Sequence, residues 1–318
     1  MVGAVLVHDN RIIGEGWHRQ YGQRHAEINA FEGVRETDRP LVPHSTLYVS
    51  LEPCCIFGRT PPCTDRIIAE QIKKLVISVR DRTAEVSGRG VQRLRDAGVE
   101  VIENVCPHEG SELAEVRNTF VREDRPFVFL KYAVSRDGKI GGDRRIQLSN
   151  ELSRRLVHRW RAQCDAILVG TRTALTDNPS LTVRYGPGRS LLRVVPDRRG
   201  VLPTDLQLFD GGVPTLIFTE QPDREDRTGA SFVQSDLSER RTENLLRELH
   251  RRGVTSLMVE GGAELLRSFY RTGLWDRALV LQTPVQLGEG IDAPLPPGAP
   301  AATRTLLDNE LFIYKNSR

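Results

Sequence analysis

Short apolar runs rich in β-branched residues alternate along this chain with stretches of helical periodicity. In the first third, MVGAVLV, RIIGEGWH, TLYVSLEP, KLVISV and VEVIENV predict strands. Helices are predicted from His25 to about Arg35, over CTDRIIAEQI and over GVQRLRDAG. The resulting β-β-α-β-α-β-α-β order predicts an α/β sandwich with helices packed on a mixed sheet.

A break in this pattern lies near residues 118–126. SELAEVRNTFVRED predicts a helix, and DRP ends it before the strand PFVFLKYAVS. Beyond it, the strands AILVG, LLRVVPD, PTLIFT, SLMVEGG and RALVLQTPV are interspersed with helical stretches, which predicts a largely parallel sheet. We therefore expect two domains, residues 1–118 and 127–318, joined by a linker at residues 119–126. A chain of 318 residues suits two domains of roughly 150 residues each.

The composition is that of an ordinary globular protein, with 39% hydrophobic and 27% charged residues. The net charge of +3 is small and the basic residues are scattered, which indicates neither nucleic-acid nor membrane binding. No apolar run reaches the roughly 18 residues of a membrane span, and no charged-then-apolar leader opens the sequence. A cytoplasmic location is therefore expected, where the 5 cysteines would stay reduced.

A histidine–glutamate pair and a cysteine-rich segment carry the candidate chemistry of the first domain. The motif HAE is followed along the chain by PCCIFGRTPPC. Catalytic zinc takes three protein ligands and leaves one position for water. His25, Cys54 at the end of a strand and Cys63 at the start of a helix can converge on one ion, and the helix start favours thiolate. Glu27 can then act as acid and base, as in the H-x-E and P-C-x-x-C signature of zinc deaminases.

The spacing departs from that signature, because eight residues rather than two separate Cys54 from Cys63. Cys55 is a competing ligand, but neighbouring strand residues face opposite ways, so we expect it to pack. The alternative is that His25 is a satisfied core histidine and that the cysteines are inert. The combination of H-A-E, a strand-ending E-P-C and a helix-opening P-P-C favours zinc.

Together with MVGAVLV and GEGWH, these segments resemble the deaminase domain of the bifunctional riboflavin-biosynthesis deaminase/reductase family, whose extended zinc loop carries G-[RK]-T-P-P-C. The second half resembles the reductase domain of that family through RPFVFLKYAVSRDGKI, AILVGTRTALTDNPSLTVR, RVVPDRRGVLP and LMVEGGAELLRSF. The resemblance covers nearly the whole chain, in the family's domain order. It implies a cytidine-deaminase-like α/β/α sandwich followed by a dihydrofolate-reductase-like α/β reductase domain.

The resemblance also implies two successive reactions of riboflavin biosynthesis. Zinc-dependent hydrolytic deamination of 2,5-diamino-6-ribosylamino-4(3H)-pyrimidinone 5′-phosphate would be followed by NADPH-dependent reduction of the ribosyl chain to ribityl. The resemblance implies two cofactors, one zinc ion per chain and NADPH. It also implies a small pyrimidine ribosyl phosphate substrate and a homodimer formed through the reductase domain. Glu27 would be catalytic. Arg59 would clamp the substrate phosphate, unless it is a solvated surface arginine.

In the second domain the sequence has no G-x-G-x-x-G turn, and VEGGAELL instead places two glycines where amides could hold a phosphate. A plain strand–helix turn is the alternative. By resemblance, the substrate-binding residues are Lys131, Arg161, Leu181, Arg184 and Glu260. By resemblance, the cofactor-binding residues are Val134, Gln147, Thr173, Asp177, Gly262, Ala263, Glu264, Leu265, Leu266, Arg267 and Ser268. Paired guanidinium donors suit Arg161 and Arg184 for a sugar phosphate, although both could be surface residues.

Three departures from the family pattern bear on turnover. A helix and an Asn-Pro pair precede the first strand in the family, whereas Met1 stands just after that place here. CIF replaces the usual Ser and two mostly aromatic or imidazole positions of the zinc loop, and Gln147 replaces an aromatic near the cofactor. Two other functions stay open: a reductase with a catalytically silent zinc domain, and a nucleic-acid-editing deaminase fused to an unrelated domain.

Overall fold

The computed structural model describes residues 2–19, 22–58, 60–83, 85–142, 146–185, 191–222, 225–226, 229–238 and 240–316. The chain divides into two compact units, Met1–Asp124 and Arg125–Arg318. Arg59, expected to clamp a phosphate, lies outside the described residues. Over these ranges, every helix falls short of the length and hydropathy that a membrane crossing needs.

The first unit is a mixed sheet with helices packed on it. Its strands are β1 (Gly3–His8), β2 (Arg11–Trp17), β3 (Thr46–Leu51), β4 (Lys74–Val79) and β5 (Glu100–Ile102). Its helices are α1 (Ala26–Glu32), α2 (Cys63–Ala69), α3 (Arg89–Asp96) and α4 (Pro107–Arg122), with a 3-10 helix over Glu36–His44. The strand order is β2-β1-β3-β4-β5; β1 is antiparallel to both neighbours, and β3, β4 and β5 run parallel. The predicted order of elements in this domain is confirmed.

Two local features fix the position of α1. Asp9 and Asn10 adopt positive φ values of 46° and 60°, as a tight turn between hairpin strands requires. On β2, a Cβ added to Gly14 or Gly16 would lie 2.5 or 2.4 Å from backbone atoms of Ala30. Because both residues lack that atom, the backbone of α1 lies directly against β2.

The second unit is built on a larger sheet. Its strands are β6 (Phe127–Val134), β8 (Ala166–Leu168), β9 (Leu192–Pro196), β10 (Thr215–Thr219), β11 (Ala230–Gln234), β12 (Ser256–Glu260), β13 (Arg277–Gln282), β15 (Ala302–Leu306) and β16 (Asn309–Lys315); β7 (Lys139–Gly141) and β14 (Ile291–Asp292) form a separate pair. Its helices are α5 (Glu151–Arg161), α6 (Thr171–Asp177), α7 (Arg241–Arg251) and α8 (Ala263–Thr272), with a 3-10 turn at Gln207–Phe209.

The strand order of this sheet is β11-β10-β9-β8-β12-β6-β13-β16-β15. Every pairing from β11 to β13 is parallel, which confirms the prediction of a largely parallel sheet, and the hairpin of β15 and β16 adds an antiparallel edge. Buried apolar side chains cover both faces, with Leu130 and Val259 in one cluster and Ile167 and Met258 in another. A sheet buried on both faces explains the near-continuous apolar runs of its strands.

Several elements of this unit carry no clear pattern in the sequence. β15 is ATRTL, and its first four residues are exposed, so it has no apolar alternation to reveal it. α6 is TRTALTD, rich in threonine, whose branched Cβ disfavours helix. Contacts with other elements stabilise both: β15 pairs with β16, and α6 packs against β9.

The end of α4 lies within the segment expected to be a linker. The helix continues to Arg122, so residues 119–122 of that segment are helical. Asp124 then adopts a φ of 49°, and the two compact units divide directly after it. The non-helical connection is therefore shorter than residues 119–126.

A buried arginine joins several loops of the second unit to its sheet. Arg193 on β9 is 0% exposed. Its guanidinium donates hydrogen bonds to the carbonyl oxygens of Ser180, Gln207 and Val213, to Thr215 Oγ1 and to Asp210 Oδ1. A buried charge is tolerated when its donors are satisfied in this way.

Replacing this arginine should destabilise the second unit. Arg193→Met leaves buried carbonyl groups without a donor, and we expect a loss of about 3–5 kcal/mol in the free energy of unfolding. Arg155→Met, on the exposed side of α5, should change it by less than about 0.5 kcal/mol. Urea denaturation of the two variants measures the difference, and equal midpoints would contradict the role assigned to Arg193.

Candidate active sites

The start of α1 presents a histidine and a glutamate to one side of the first unit. His25 is the N-cap residue of α1, with an extended backbone at φ −71° and ψ 165°. Glu27 lies in the first helical turn and is 3% exposed. The close contact of α1 with the glycines of β2 fixes both residues relative to the sheet.

The two predicted cysteine ligands meet this histidine. Cys54 follows β3, and Cys63 is the first residue of α2. His25 Nδ1 lies 3.2 Å from Cys63 Sγ and 3.5 Å from Cys54 Sγ, and the three ligand atoms lie within 4.8 Å of one another. The Cys63 backbone N–H also donates to Cys54 Sγ at 3.3 Å, so the helix start supports a thiolate there.

These separations fit a zinc ion. Zn–S bonds of about 2.3 Å and Zn–N bonds of about 2.0 Å at a tetrahedral angle put nitrogen and sulfur about 3.5 Å apart. Cys55 stands apart from the group, since its thiol is directed to the carbonyl oxygen of Glu85 at 4.0 Å. His25, Cys54 and Cys63 could therefore hold the ion and leave a fourth position for water.

Burial and hydrogen bonds set the charges of this cluster. The hydrogen bond from the Cys63 thiol lowers the pKa of Cys54 to about 4, and His25 adds to the effect. The hydrogen bond with Cys54 raises the pKa of His25. Burial raises the pKa of Glu27. The cluster thus carries one thiolate ready for a cation, beside a carboxyl group that can hold a proton.

A second cluster lies in the second unit, where β6 and β12 run side by side. Lys131 and Glu260 are register partners on these strands, and Lys131 Nζ lies 4.0 Å from Glu260 Oε2. Arg161, the last residue of α5, binds the same carboxylate with both Nε and Nη2, at 2.5 and 2.7 Å. Three predicted substrate residues are therefore brought together.

The charges of this second cluster depend on one another. Burial opposes ionisation of Glu260, but the cations of Arg161 and Lys131 outweigh it and lower the pKa of Glu260 to about 2. Burial lowers the pKa of Lys131. A buried ammonium with a lowered pKa gives up its proton more readily than an exposed one.

The loop after α6 completes the cluster. Leu181 is 3% exposed and has a φ of 50°, a conformation that a leucine keeps only when its surroundings hold it. The carbonyl oxygen of Thr182 accepts a hydrogen bond from Arg161 Nη1 at 3.1 Å. The backbone N–H of Arg184 donates to His158 Nδ1 at 3.1 Å.

His158 was not among the predicted site residues. Burial, followed by the charges of Arg161 and Arg184, lowers its pKa to about 4, so the ring is neutral and its Nδ1 accepts a hydrogen bond. Its position three residues before Arg161 on α5 places both on one helix face. That spacing was the available signal in the sequence.

The predicted cofactor residues lie around the start of α8. Gly261 and Gly262 have φ values of 94° and 83°, which explains the need for glycine at both positions. A Cβ on Gly262 would lie 3.4 Å from Thr173 Oγ1. The remaining predicted residues differ in exposure: Ala263, Leu265, Leu266, Ser268 and Val134 are buried, Thr173, Asp177 and Arg267 are partly exposed, and Glu264 and Gln147 are exposed. The cofactor roles of these residues stay predictions.

Comparison with known proteins identifies the family. A model of the cytidine and deoxycytidylate deaminase zinc-binding region matches residues 1–79, and a model of the RibD C-terminal domain matches residues 126–311. The riboflavin biosynthesis protein RibD of Aquifex aeolicus is 37% identical over 297 residues, which cover 91% of this chain and 82% of that protein. The chain belongs to the RibD family. RibD of Escherichia coli K12 is 31% identical over 305 residues, 90% of this chain and 82% of that protein.

Solved structures agree with the family assignment. A Thermotoga maritima diaminohydroxyphosphoribosylaminopyrimidine deaminase/5-amino-6-(5-phosphoribosylamino)uracil reductase superposes with a TM-score of 0.89 at 37% identity, covering 99% of this chain and 92% of that one. Acinetobacter baumannii RibD, form 1, has a TM-score of 0.86 at 28% identity and covers 100% of this chain and 92% of that one.

As a RibD protein, the chain is a bifunctional enzyme of riboflavin biosynthesis, a hydrolytic deaminase followed by a reductase. The predicted fold class is confirmed as a cytidine-deaminase-like domain followed by a RibD reductase domain. Zinc and NADPH are the corresponding cofactors. The family assignment favours this function over a nucleic-acid-editing deaminase and over a reductase alone.

Metal analysis of two cysteine variants tests the ligand set. Cys63→Ser removes a thiolate ligand, and we expect it to lose most of its zinc. Cys55→Ser should keep one zinc ion per chain, because its thiol is directed away from the cluster. Full zinc occupancy of Cys63→Ser, measured by elemental analysis after dialysis, would contradict the assignment of Cys63 as a zinc ligand.

Proposed function

We propose that the first unit of this RibD protein removes the 2-amino group of 2,5-diamino-6-ribosylamino-4(3H)-pyrimidinone 5′-phosphate, and that the second unit reduces the ribosyl chain to ribityl. The observation that carries the proposal is the His25, Cys54 and Cys63 cluster with Glu27 buried beside it. The two activities named for the Thermotoga maritima protein correspond to these steps. We also propose a cytoplasmic location, which the five free cysteines support. A homodimer is proposed as well.

In the first unit, we assign the ligands His25, Cys54 and Cys63 to zinc. A bound zinc ion supplies a nucleophile at neutral pH by acidifying a water molecule. Glu27 would carry two protons in turn on its carboxyl oxygen: the first from the water to the ring nitrogen, and the second from the added hydroxyl to the amino group, which leaves as ammonia. Its burial suits this role, since a raised pKa lets the carboxyl group hold a proton between the two transfers.

In the second unit, NADPH would supply the hydride that reduces the ribosyl C1′. Lys131 acts as the proton donor to the sugar, and Glu260 orients it. Arg161 holds Glu260 and the carbonyl of Thr182, so its guanidinium organises the site. Arg184 would bind the substrate phosphate, and the amides that begin α8 would hold the cofactor.

Glu27→Gln separates metal binding from chemistry. The amide cannot carry a proton, so ammonia release should fall by about 10²–10⁴-fold while zinc content stays at the wild-type level. The same variant should reduce already deaminated substrate at the wild-type rate, which serves as the control for folding. Deamination near the wild-type rate would show that another group moves the proton. A wild-type protein that reduces but never releases ammonia would instead support the reductase-only function.

Arg161→Met tests the organisation of the reductase site. The change leaves the buried Glu260 carboxylate without its bidentate partner, and a misplaced site residue can cost about 10²-fold in rate. Reduction should therefore fall by about that factor, with zinc content and ammonia release unchanged. Arg159→Met, an exposed position on the same helix, is the matched control and should leave reduction unchanged. Equal reduction rates for the two variants would contradict the role of Arg161.

A further inference from the structure

A buried glutamate stands two residues before the cysteine ligand Cys54. Glu52 follows the last residue of β3 and is 3% exposed. Its carboxylate accepts hydrogen bonds from three backbone N–H groups: those of Asp81 at 3.1 Å, Gly88 at 3.0 Å and Val91 at 3.1 Å. Two of these donors belong to the start of α3, where N–H groups have no acceptor within the helix. A single side chain thus ties the end of β3 to α3.

The same helix touches the peptide that leads to Cys54. A Cβ on Gly90 would lie only 2.2 Å from the carbonyl oxygen of Pro53, so α3 packs against that carbonyl without any intervening side chain. Pro53 has a fixed φ, which limits the freedom between Glu52 and Cys54. The position of α3 is therefore passed on to the cysteine through a short and stiff connection.

Cys54 is held from its other side by α2. Its carbonyl oxygen accepts the N–H of Thr64 at 3.1 Å, and its Sγ accepts the N–H of Cys63 at 3.3 Å. These contacts fix Cys54 relative to Cys63, the first residue of α2. The covalent connection of Cys54 to the sheet runs through Pro53 and Glu52.

We propose that Glu52 is a positioning residue of the metal centre, whose carboxylate sets the place of the Cys54 sulfur relative to His25 and Cys63. The inference rests on the proposed function of that cluster as a zinc site. Glu52 touches neither metal nor substrate. It acts by holding α3 and Pro53, and this explains why a carboxylate is buried where the sheet itself needs none.

Two variants disturb the connection from opposite sides. Glu52→Gln keeps one acceptor oxygen and replaces the other by an NH₂ group. That group cannot accept a hydrogen bond, so the backbone N–H groups that face it lose their acceptor. Gly90→Ala keeps the Glu52 carboxylate but places a Cβ 2.2 Å from the Pro53 carbonyl oxygen and 3.2 Å from Glu52 Oε1, while alanine is the better helix former. Loss of the groups that orient a metal ligand typically weakens binding by about 10–100-fold, and we expect about 10-fold for each variant.

The measurements use the full-length protein. Zinc affinity is determined by competition with a chromophoric chelator, and the visible spectrum of the Co²⁺-substituted protein reports the geometry of the ligands. Both variants should weaken zinc binding and shift the Co²⁺ bands. Wild-type affinity and an unchanged Co²⁺ spectrum in both variants would overturn the proposal. A wild-type protein that binds no stoichiometric zinc would instead refute the proposed function.

Two controls separate positioning from general loss of stability. Asp165→Asn changes another carboxylate that accepts backbone N–H groups, those of Thr255 and Ser256, in the second unit. Gly110→Ala introduces a Cβ 2.1 Å from Ser78 Oγ, a comparable clash within the first unit but away from the Cys54 segment. Both should keep the wild-type Co²⁺ spectrum. If Gly110→Ala shifts it as far as Gly90→Ala does, the effect is not specific and the proposal fails.

Discussion

Parallel pairing of strands decides where the chemistry of both units lies. Parallel neighbours end at the same edge of a sheet, and the segments that leave them meet there. In the first unit, β3 and β4 are such a pair, and Cys54 leaves one while the connection to α3 leaves the other. In the second, β6 and β12 place Lys131 beside Glu260. Each site is therefore assembled from chain segments that the sheet has already aligned.

The sequence was most informative where chemistry restricts the residue type. Zinc accepts few ligand types, so His25, Cys54 and Cys63 could be predicted from identity and order alone, and the structure brings them together. The strands of the second sheet were recognisable because burial on both faces makes them continuous apolar runs. α6 and the hairpin of β15 and β16 escaped prediction, since pairing and packing rather than local pattern stabilise them.

The sequence showed little of the residues that act through backbone groups, beyond the helical spacing of His158 and Arg161 on α5. Nothing in the residue type of Glu52 or His158 says that one accepts three backbone N–H groups or that the other accepts the N–H of Arg184. Arg161 and Glu260 bind each other although they are 99 positions apart along the chain, and only the fold brings them together. Such supports hold the groups that react, and they leave no motif because their partners are distant along the chain or belong to the backbone.

The bonds of Arg193 also couple a loop of the second unit to its sheet. This one side chain reaches Ser180, the 207–213 segment and Thr215 on the neighbouring strand. Its acceptors converge only where the consecutive strands β9 and β10 pair and the 207–213 segment lies beside them. The loop bearing Leu181 and Arg184 begins beside Ser180, whose carbonyl oxygen Arg193 holds, so a change in the sheet at β9 reaches that loop through a single guanidinium.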